Sequence, residues 1–269
     1  MKQLILKNKL LGEDLTVYVG SFMRSHEVLN ANGFFTVNLM QEYQHLQSNL
    51  NIPIVDFNVP QDIAQFNEGL LTIVEHCLQD ERVFFGCFGG VGRTGIVLAC
   101  LNKIFGVDTN LVYHTRQQLP HALETDEQVE FVKNFKVNDL RKKVEQLFLN
   151  EWIKKSVIDT TLNALVVKKI KSYSEKHDIT ATLMQIVKTN NCALASLLVQ
   201  NGVVKKQFVY GEKSFLDLAY ENKNKAMVKA LKALGVPSSK VEEPQFKNFF
   251  FLLSKLNEKN KKVDIKKNV

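Results

Sequence analysis

Cys87 and Arg93 enclose five residues, Phe88, Gly89, Gly90, Val91 and Gly92, in the stretch RVFFGCFGGVGRTGIVLAC (82–100). A thiol and a guanidinium on one glycine-rich loop can together transfer a phosphoryl group. The thiolate is the attacking species. The planar guanidinium fork can hold two phosphate oxygens and follow their charge into the transition state. Glycines let the N–H groups of residues 88–93 point inward as an anion nest. Thr94 can donate its hydroxyl to the sulfur and so help expel the thiolate in a second step. Taken singly, Cys87 would be a buried inert thiol, the commonest fate of a cysteine, and Arg93 a surface cation at a helix start. Their spacing, with Thr-Gly behind, sets them apart.

Gly90, Gly92 and Gly95 also spell G-x-G-x-x-G, the pattern that holds a dinucleotide pyrophosphate. That chemistry needs a second strand after the helix, ending in an acid about twenty residues on. After Phe105 the chain runs GVDTNLVYHTRQQ, and no apolar strand leads into Asp108. The fingerprint also usually opens its domain, whereas three strand-like runs come first here. No Gly-Lys-Ser/Thr follows, which sets aside the ATPase loop.

The elements around the loop alternate between strand and helix. Period-2 alternation predicts a strand over 15–20, and 33–39, 51–57 and the apolar run in 82–86 read as three more. Between the last two, Ile63, Phe66, Leu70, Val74 and Cys77 recur at steps of three and four, which predicts an amphipathic helix beginning near Pro60. Residues 93–105 are apolar almost all round, as a helix buried against a sheet would be. Helical patterns follow over 109–118 and 124–148, with Pro120 between them. The fold class expected is α/β, a phosphatase-type central sheet flanked by helices and followed by an all-α region. Cys87 would then sit at the end of a strand and the start of a buried helix, where the turn amides and helix dipole favour its thiolate.

The stretch CFGGVGRTG resembles the signature of the cysteine-dependent protein tyrosine and dual-specificity phosphatases, C-x-x-G-x-G-R-[ST]-G, and above all a bacterial branch reading C-W-G-G-[VI]-G-R-T-G. The resemblance covers roughly residues 10–140. It implies a metal-independent phosphatase with no cofactor, acting through a phosphocysteine on phosphotyrosine, or on phosphoserine and phosphothreonine, in proteins. The family carries an acid on a loop about thirty residues before the cysteine. Asp56 precedes Cys87 by 31 in IPIVDFNVPQD. By the resemblance, Asp56 protonates the leaving oxygen and then takes the proton from the hydrolytic water. Asp62 is the rival acid, expected instead in the first turn of the following helix. In LETDEQVEFV, Gln128 matches a glutamine that positions the hydrolytic water in tyrosine-specific members, and Thr125 with Gln128 also fits a capping box. The family usually has histidine before the nucleophile. Here that residue is Gly86, which implies a weakened enzyme rather than a dead one.

Beyond about residue 150 helical patterns take over. Residues 182–203 align with 215–236 at a constant offset of 33, pairing Leu183 with Leu216, Leu198 with Leu231 and Gly202 with Gly235. A period of that length, with paired helices ending in glycine, resembles the ankyrin repeat, SFLDLA echoing its TPLHLA turn. Residues 203–214 would be the hairpin loop, 149–176 a linking or capping helix pair, and 246–260 a degenerate capping copy. The domains expected are 1–148, phosphatase, and 149–269, ankyrin-like, the latter a surface for a protein partner.

Four scattered cysteines and no clustered histidines argue against disulfides and a structural metal, and so for a reducing, cytoplasmic compartment. The N-terminus, interrupted by Lys7 and Lys9, is a poor secretory signal. No apolar run approaches the roughly eighteen residues of a membrane span. The net charge of +7 suits anionic partners, but much of it lies in the tail NEKNKKVDIKKNV, and no nucleic-acid-reading motif accompanies it. A phosphoinositide or an anionic membrane surface is the rival ligand. The loop between Cys87 and Arg93 has no lysine, which favours phosphoprotein. The overall cast resembles proteins that intracellular bacteria deliver into host cells.

Overall fold

The computed structural model describes residues 1–9, 12–206, 209–210 and 213–239. The chain forms two compact units, one from Met1 to Glu151 and a second beginning at Trp152.

The first unit is built on five strands: β1 (Lys2–Leu6), β2 (Leu15–Ser21), β3 (Phe35–Met40), β4 (Leu50–Ile54) and β5 (Val83–Cys87). Their order in the sheet is β1-β2-β5-β3-β4. β1 runs antiparallel to β2, and the other four are mutually parallel. All five residues of β5 are buried, as befits a central parallel strand covered on both faces. The helices packing on this sheet are α1 (Phe22–Ala31), α2 (Ile63–Leu78) and α3 (Gly92–Ile104). Four strands thus lie close to where alternation puts them. β1 and α1 escaped that reading. β1 buries only Leu4 and Leu6, too short a pattern to stand out, and α1 is signalled by buried Phe22, His26 and Leu29 at steps of four and three.

α4 (Leu111–Gln118) and α5 (Asp126–Asn134) complete the unit, and α6 (Asn138–Ile158) runs across the division into the second. The single helical run expected over 124–148 is therefore two helices. Phe135 and Val137 are both buried, and residues two apart share a face only in extended chain. The boundary expected after residue 148 falls inside α6.

The second unit continues with α7 (Asn163–Ser174), α8 (Thr180–Lys188) and α9 (Cys192–Gln200), then a two-residue hairpin of β6 (Val209–Tyr210) and β7 (Lys213–Ser214), then α10 (Phe215–Glu221) and α11 (Lys225–Ala233). The offset of 33 extends to backbone detail. Asn190 and Lys223 both have left-handed φ, as do Gly202 and Gly235. Asn191 caps α9 through Leu194 N, and Asn224 caps α11 through Met227 N. Residues 246–260, expected as a capping copy, lie outside the described residues, as does the basic tail. Among the described residues no helix is long and apolar enough to cross a membrane.

Ser214 and Asp217 form a reciprocal capping box at the head of α10. Buried Asp217 also accepts from Ser239 N at 2.8 Å and from the hydroxyls of Ser238 and Ser239. Burial alone would push its carboxyl up, but the bonds from Ser238, Ser239 and Ser214 outweigh it and hold it well below the usual carboxylate range. A depressed carboxyl contributes stability that is fully present above about pH 4, where an unfolded aspartate titrates, and is lost as pH falls from there. Asp217→Ala should therefore destabilise this unit by about 1–3 kcal/mol at neutral pH in urea unfolding, with the difference shrinking in acid.

Candidate active site

The four parallel strands end on one edge of the sheet, and each delivers a functional side chain there. β2 ends at Ser21, β5 ends at Cys87, the 3-10 turn Gln41–Tyr43 after β3 carries Glu42, and the loop after β4 carries Asp56. Open α/β sheets place their ligands beyond the carboxyl ends of the strands in this way.

Cys87 is 3% exposed and pairs with Ser21 across the sheet. Thr94 Oγ1 lies 3.3 Å from Cys87 Sγ, placed to donate to it, and accepts from Cys87 N at 3.0 Å. Phe88, Gly89, Gly90 and Val91 form the loop. Gly92 and Arg93 open α3, where no side chain caps the helix and no acid occupies its first turn. Its first N–H groups and the positive end of its dipole are thus left for an anion.

Arg93 is 2% exposed, the largest of the fully buried side chains. Its Nη1 donates to both carboxylate oxygens of Glu42 at 2.8 Å and to Ile54 O at 3.1 Å. Nη2 meets Asp56 Oδ1 at 2.8 Å. Buried Nε has no partner. The Nε–Nη2 edge, the edge that can grip two oxygens side by side, is therefore occupied by Asp56 on one side and open on the other. Sequence reasoning missed Glu42. Its only signal was that a buried arginine needs an acid, and the end of the adjoining strand β3 is a place that could supply one.

Asp56 and Asp62 part company. Asp56 reaches Arg93, while Asp62 is the N-cap of α2, accepting from Gln65 N at 2.9 Å, one step before the helical turn where it was expected. Gln128 is fully buried beside the loop. Its Oε1 accepts from Glu124 N at 2.8 Å and its Nε2 donates to Asn58 O at 3.4 Å. Thr125 caps α5 through Gln128 N and donates to Phe57 O, so the head of α5 is tied to the loop that carries Asp56. Phe57, held at φ 55°, and Phe88 are 60% and 53% exposed, and Phe88 stacks on Tyr43 with ring centroids 6.2 Å apart.

The other cysteines are placed for packing. Burial and nearby Glu81 push the Cys77 thiol up to about 12, and burial pushes Cys100 well above the usual range. Cys77 donates to Thr16 O, five residues along β2 from the Ser21 that pairs with Cys87. At about 3.3 Å per residue the two sulfurs sit near opposite ends of the sheet, too far apart for a disulfide.

Residues 29–148 match the family described as "Swiss Army Knife protein, DSP-PTPase phosphatase domain" (PTP-SAK). That stretch, which includes Asp56, the loop from Cys87 to Arg93 and Gln128, is thus similar to the tyrosine/dual-specificity phosphatase domains. Two uncharacterized proteins of Methanocaldococcus jannaschii are each 33% identical to it, over 91 and 94 residues. Those stretches are 34% and 35% of this chain, which spans 57% and 63% of the length of these curated relatives. Among solved structures, the domain is similar to Tk-PTP in its active form, at 23% identity and a TM-score of 0.38 over 51% of this chain and 97% of that one. It is also similar to kinase associated phosphatase with its catalytic-site cysteine replaced by serine, at 17% identity and a TM-score of 0.37 over 54% and 96% of the two chains.

Gly86, where the phosphatase resemblance leads one to expect histidine, has a packing reason in this unit. A Cβ there would lie 2.2 Å from Gly20 O and 3.1 Å from Phe22 N. Gly90, at φ 76°, is pressed against the same backbone, its Cβ position 2.3 Å from Gly20 C. The loop thus rests directly on the end of β2, and the Ser21 hydroxyl donates to Phe88 O. A side chain at 86 must push β2 away. Gly86→Ala should cost about 1–3 kcal/mol in urea unfolding, and Gly86→His more, rather than restoring a faster enzyme.

Proposed function

We propose that this chain hydrolyses phosphate monoesters through a phosphocysteine on Cys87, with phosphotyrosine in proteins as its substrate class. The observation that carries this reading is the buried guanidinium of Arg93, anchored on one side by Glu42 and with Nε unpartnered, next to a thiol at the mouth of an uncapped helix.

In the first step Cys87 Sγ attacks phosphorus in line with the ester oxygen. The Nε–Nη2 edge of Arg93 and the N–H groups of residues 88–93 hold the three equatorial oxygens. Phosphate on that edge displaces Asp56 from Nη2. The freed carboxylate takes up the proton that the Cys87 thiol gives up on becoming the nucleophile, and passes it to the leaving oxygen as the S–P bond forms and the O–P bond breaks. In the second step water attacks the phosphocysteine, Asp56 takes its proton and Gln128 orients it. The Thr94 hydroxyl, donating to sulfur, stabilises the departing thiolate. No step calls for a metal. Gly86 leaves in place every group that handles phosphate in this scheme, and its close approach to Gly20 accounts for the glycine.

The aromatic rim supports an aryl ester. Phe57 and Phe88, next in sequence to Asp56 and Cys87, stand exposed and offer apolar surface that a phenyl ester would bury and a serine phosphate would not. The second unit fits a pair of ankyrin-like repeats offering a surface to a protein partner. That reading draws on the two left-handed turns, the two asparagine caps and the two glycine stops, each spaced by 33 residues.

Release of phosphate from a small aryl phosphate in the presence of a chelator tests the reading. Cys87→Ser should abolish turnover, and Asp56→Ala should lower kcat by about 10²–10⁴ while still holding substrate. If turnover survives Cys87→Ser, the mechanism is wrong. Phe88→Ala should raise KM for an aryl phosphate several-fold more than for an alkyl one.

A further inference from the structure

Glu124 is the residue of this site that the proposed chemistry leaves without a task. Its Oε2 lies 2.1 Å from the position a Cβ would take on Gly92, so the carboxylate rests against the phosphate loop where α3 begins. It is exposed, and among the described residues it has no hydrogen-bond or ion-pair partner for its side chain. Its backbone is fixed, because Glu124 N donates to the buried amide of Gln128 at 2.8 Å. Gly92 is also where Gln128 Oε1 approaches, at 3.2 Å from the same Cβ position. The turn before α5 therefore holds the backbone of Glu124 beside the loop, within reach of its carboxylate.

Counting charges makes this placement informative. Among the described residues, Arg93 is the cation buried in the site, faced by Glu42 and Asp56, and Arg116 donates to Ala122 O and Leu123 O just before Glu124. Glu124 adds a third carboxylate with no cation of its own, and Asp126 and Glu127 follow in the first turn of α5. A site meant for polyanions would surround the loop with lysines or arginines. Here three carboxylates, Glu42, Asp56 and Glu124, stand around the loop, and the buried, unpartnered Arg93 Nε marks where a single phosphate is still wanted. One phosphate deep in the loop, with positive charge beside it at the rim, satisfies both features.

We propose that Glu124 is a specificity-determining residue that selects phosphorylated peptides carrying lysine or arginine next to the phosphorylated residue, and that it disfavours ligands with several phosphates. This rests on the phosphatase reading above and sharpens its substrate class toward basic phosphopeptides and away from phosphoinositides.

The test uses the full chain and two tyrosine-phosphorylated peptides that differ only in flanking residues, lysines in one and glutamates in the other. Vesicles containing a phosphatidylinositol bisphosphate form the third arm. The wild type should release phosphate from the lysine peptide with a kcat/KM about three- to tenfold higher at low salt, a gap that narrows at high salt. Glu124→Gln should bring the ratio of the two peptides close to one, and Glu124→Lys should invert it. Because the readout is a ratio within each variant, a general loss of activity cannot imitate it. A wild-type ratio near one, a ratio that Glu124→Gln leaves unchanged, or faster release from the vesicles overturns the proposal. Absence of turnover on every substrate, a small aryl phosphate included, overturns the phosphatase reading and this proposal with it.

Discussion

The burial of one guanidinium organises the site. Arg93 is almost wholly removed from water, and an unpaired cation there would be costly by several kcal/mol. Glu42, held on the turn after β3, neutralises it and uses up both donor positions on Nη1 together with Ile54 O. What remains, Nη2 and Nε, faces Asp56 and an unfilled place. The ion pair with Glu42 therefore fixes which edge of the guanidinium is offered to a ligand. Asp56, Cys87 and Thr94 gain their proposed roles from where that edge lies.

That geometry demands close backbone contacts elsewhere. The loop can reach Arg93 only if it leans on β2, and Gly86 and Gly90 both meet the backbone of Gly20. Gly95 meets Ala122 and Leu123 in the same manner, which brings the segment bearing Glu124 and Gln128 against the start of α3. A chain of glycine contacts thus links the end of β2, the phosphate loop and the head of α5. Glycine content that reads in the sequence as a phosphate fingerprint is, in the structure, as much a matter of packing as of anion binding.

Residues joined by a short stretch of chain were legible in the sequence. Cys87, the loop and Arg93 announce themselves because one strand–turn–helix carries them all, and the central strands show their period. Asp56 was found only through resemblance to a phosphatase family, and its meeting with Arg93 is a product of sheet order. Glu42 and Glu124 were not legible at all. Each is an unremarkable acid whose partner lies far along the chain, at the end of a neighbouring strand or across a glycine contact. β1 and α1 were lost for a different reason, as their apolar residues are too few to rise above the surrounding polar sequence. In the second half, the spacing of 33 was visible because apolar helix positions and the glycine stops recur as residue types.

The central claim is that phosphate passes through sulfur at Cys87. Rapid acid quenching of the full chain during turnover of a radiolabelled aryl phosphate, followed by peptide mapping, tests it directly. The account predicts label on the peptide containing Cys87, bound through a thiophosphate linkage and absent from Cys87→Ser. Label on another residue, or turnover with no covalent label while Cys87→Ser remains active, would contradict it.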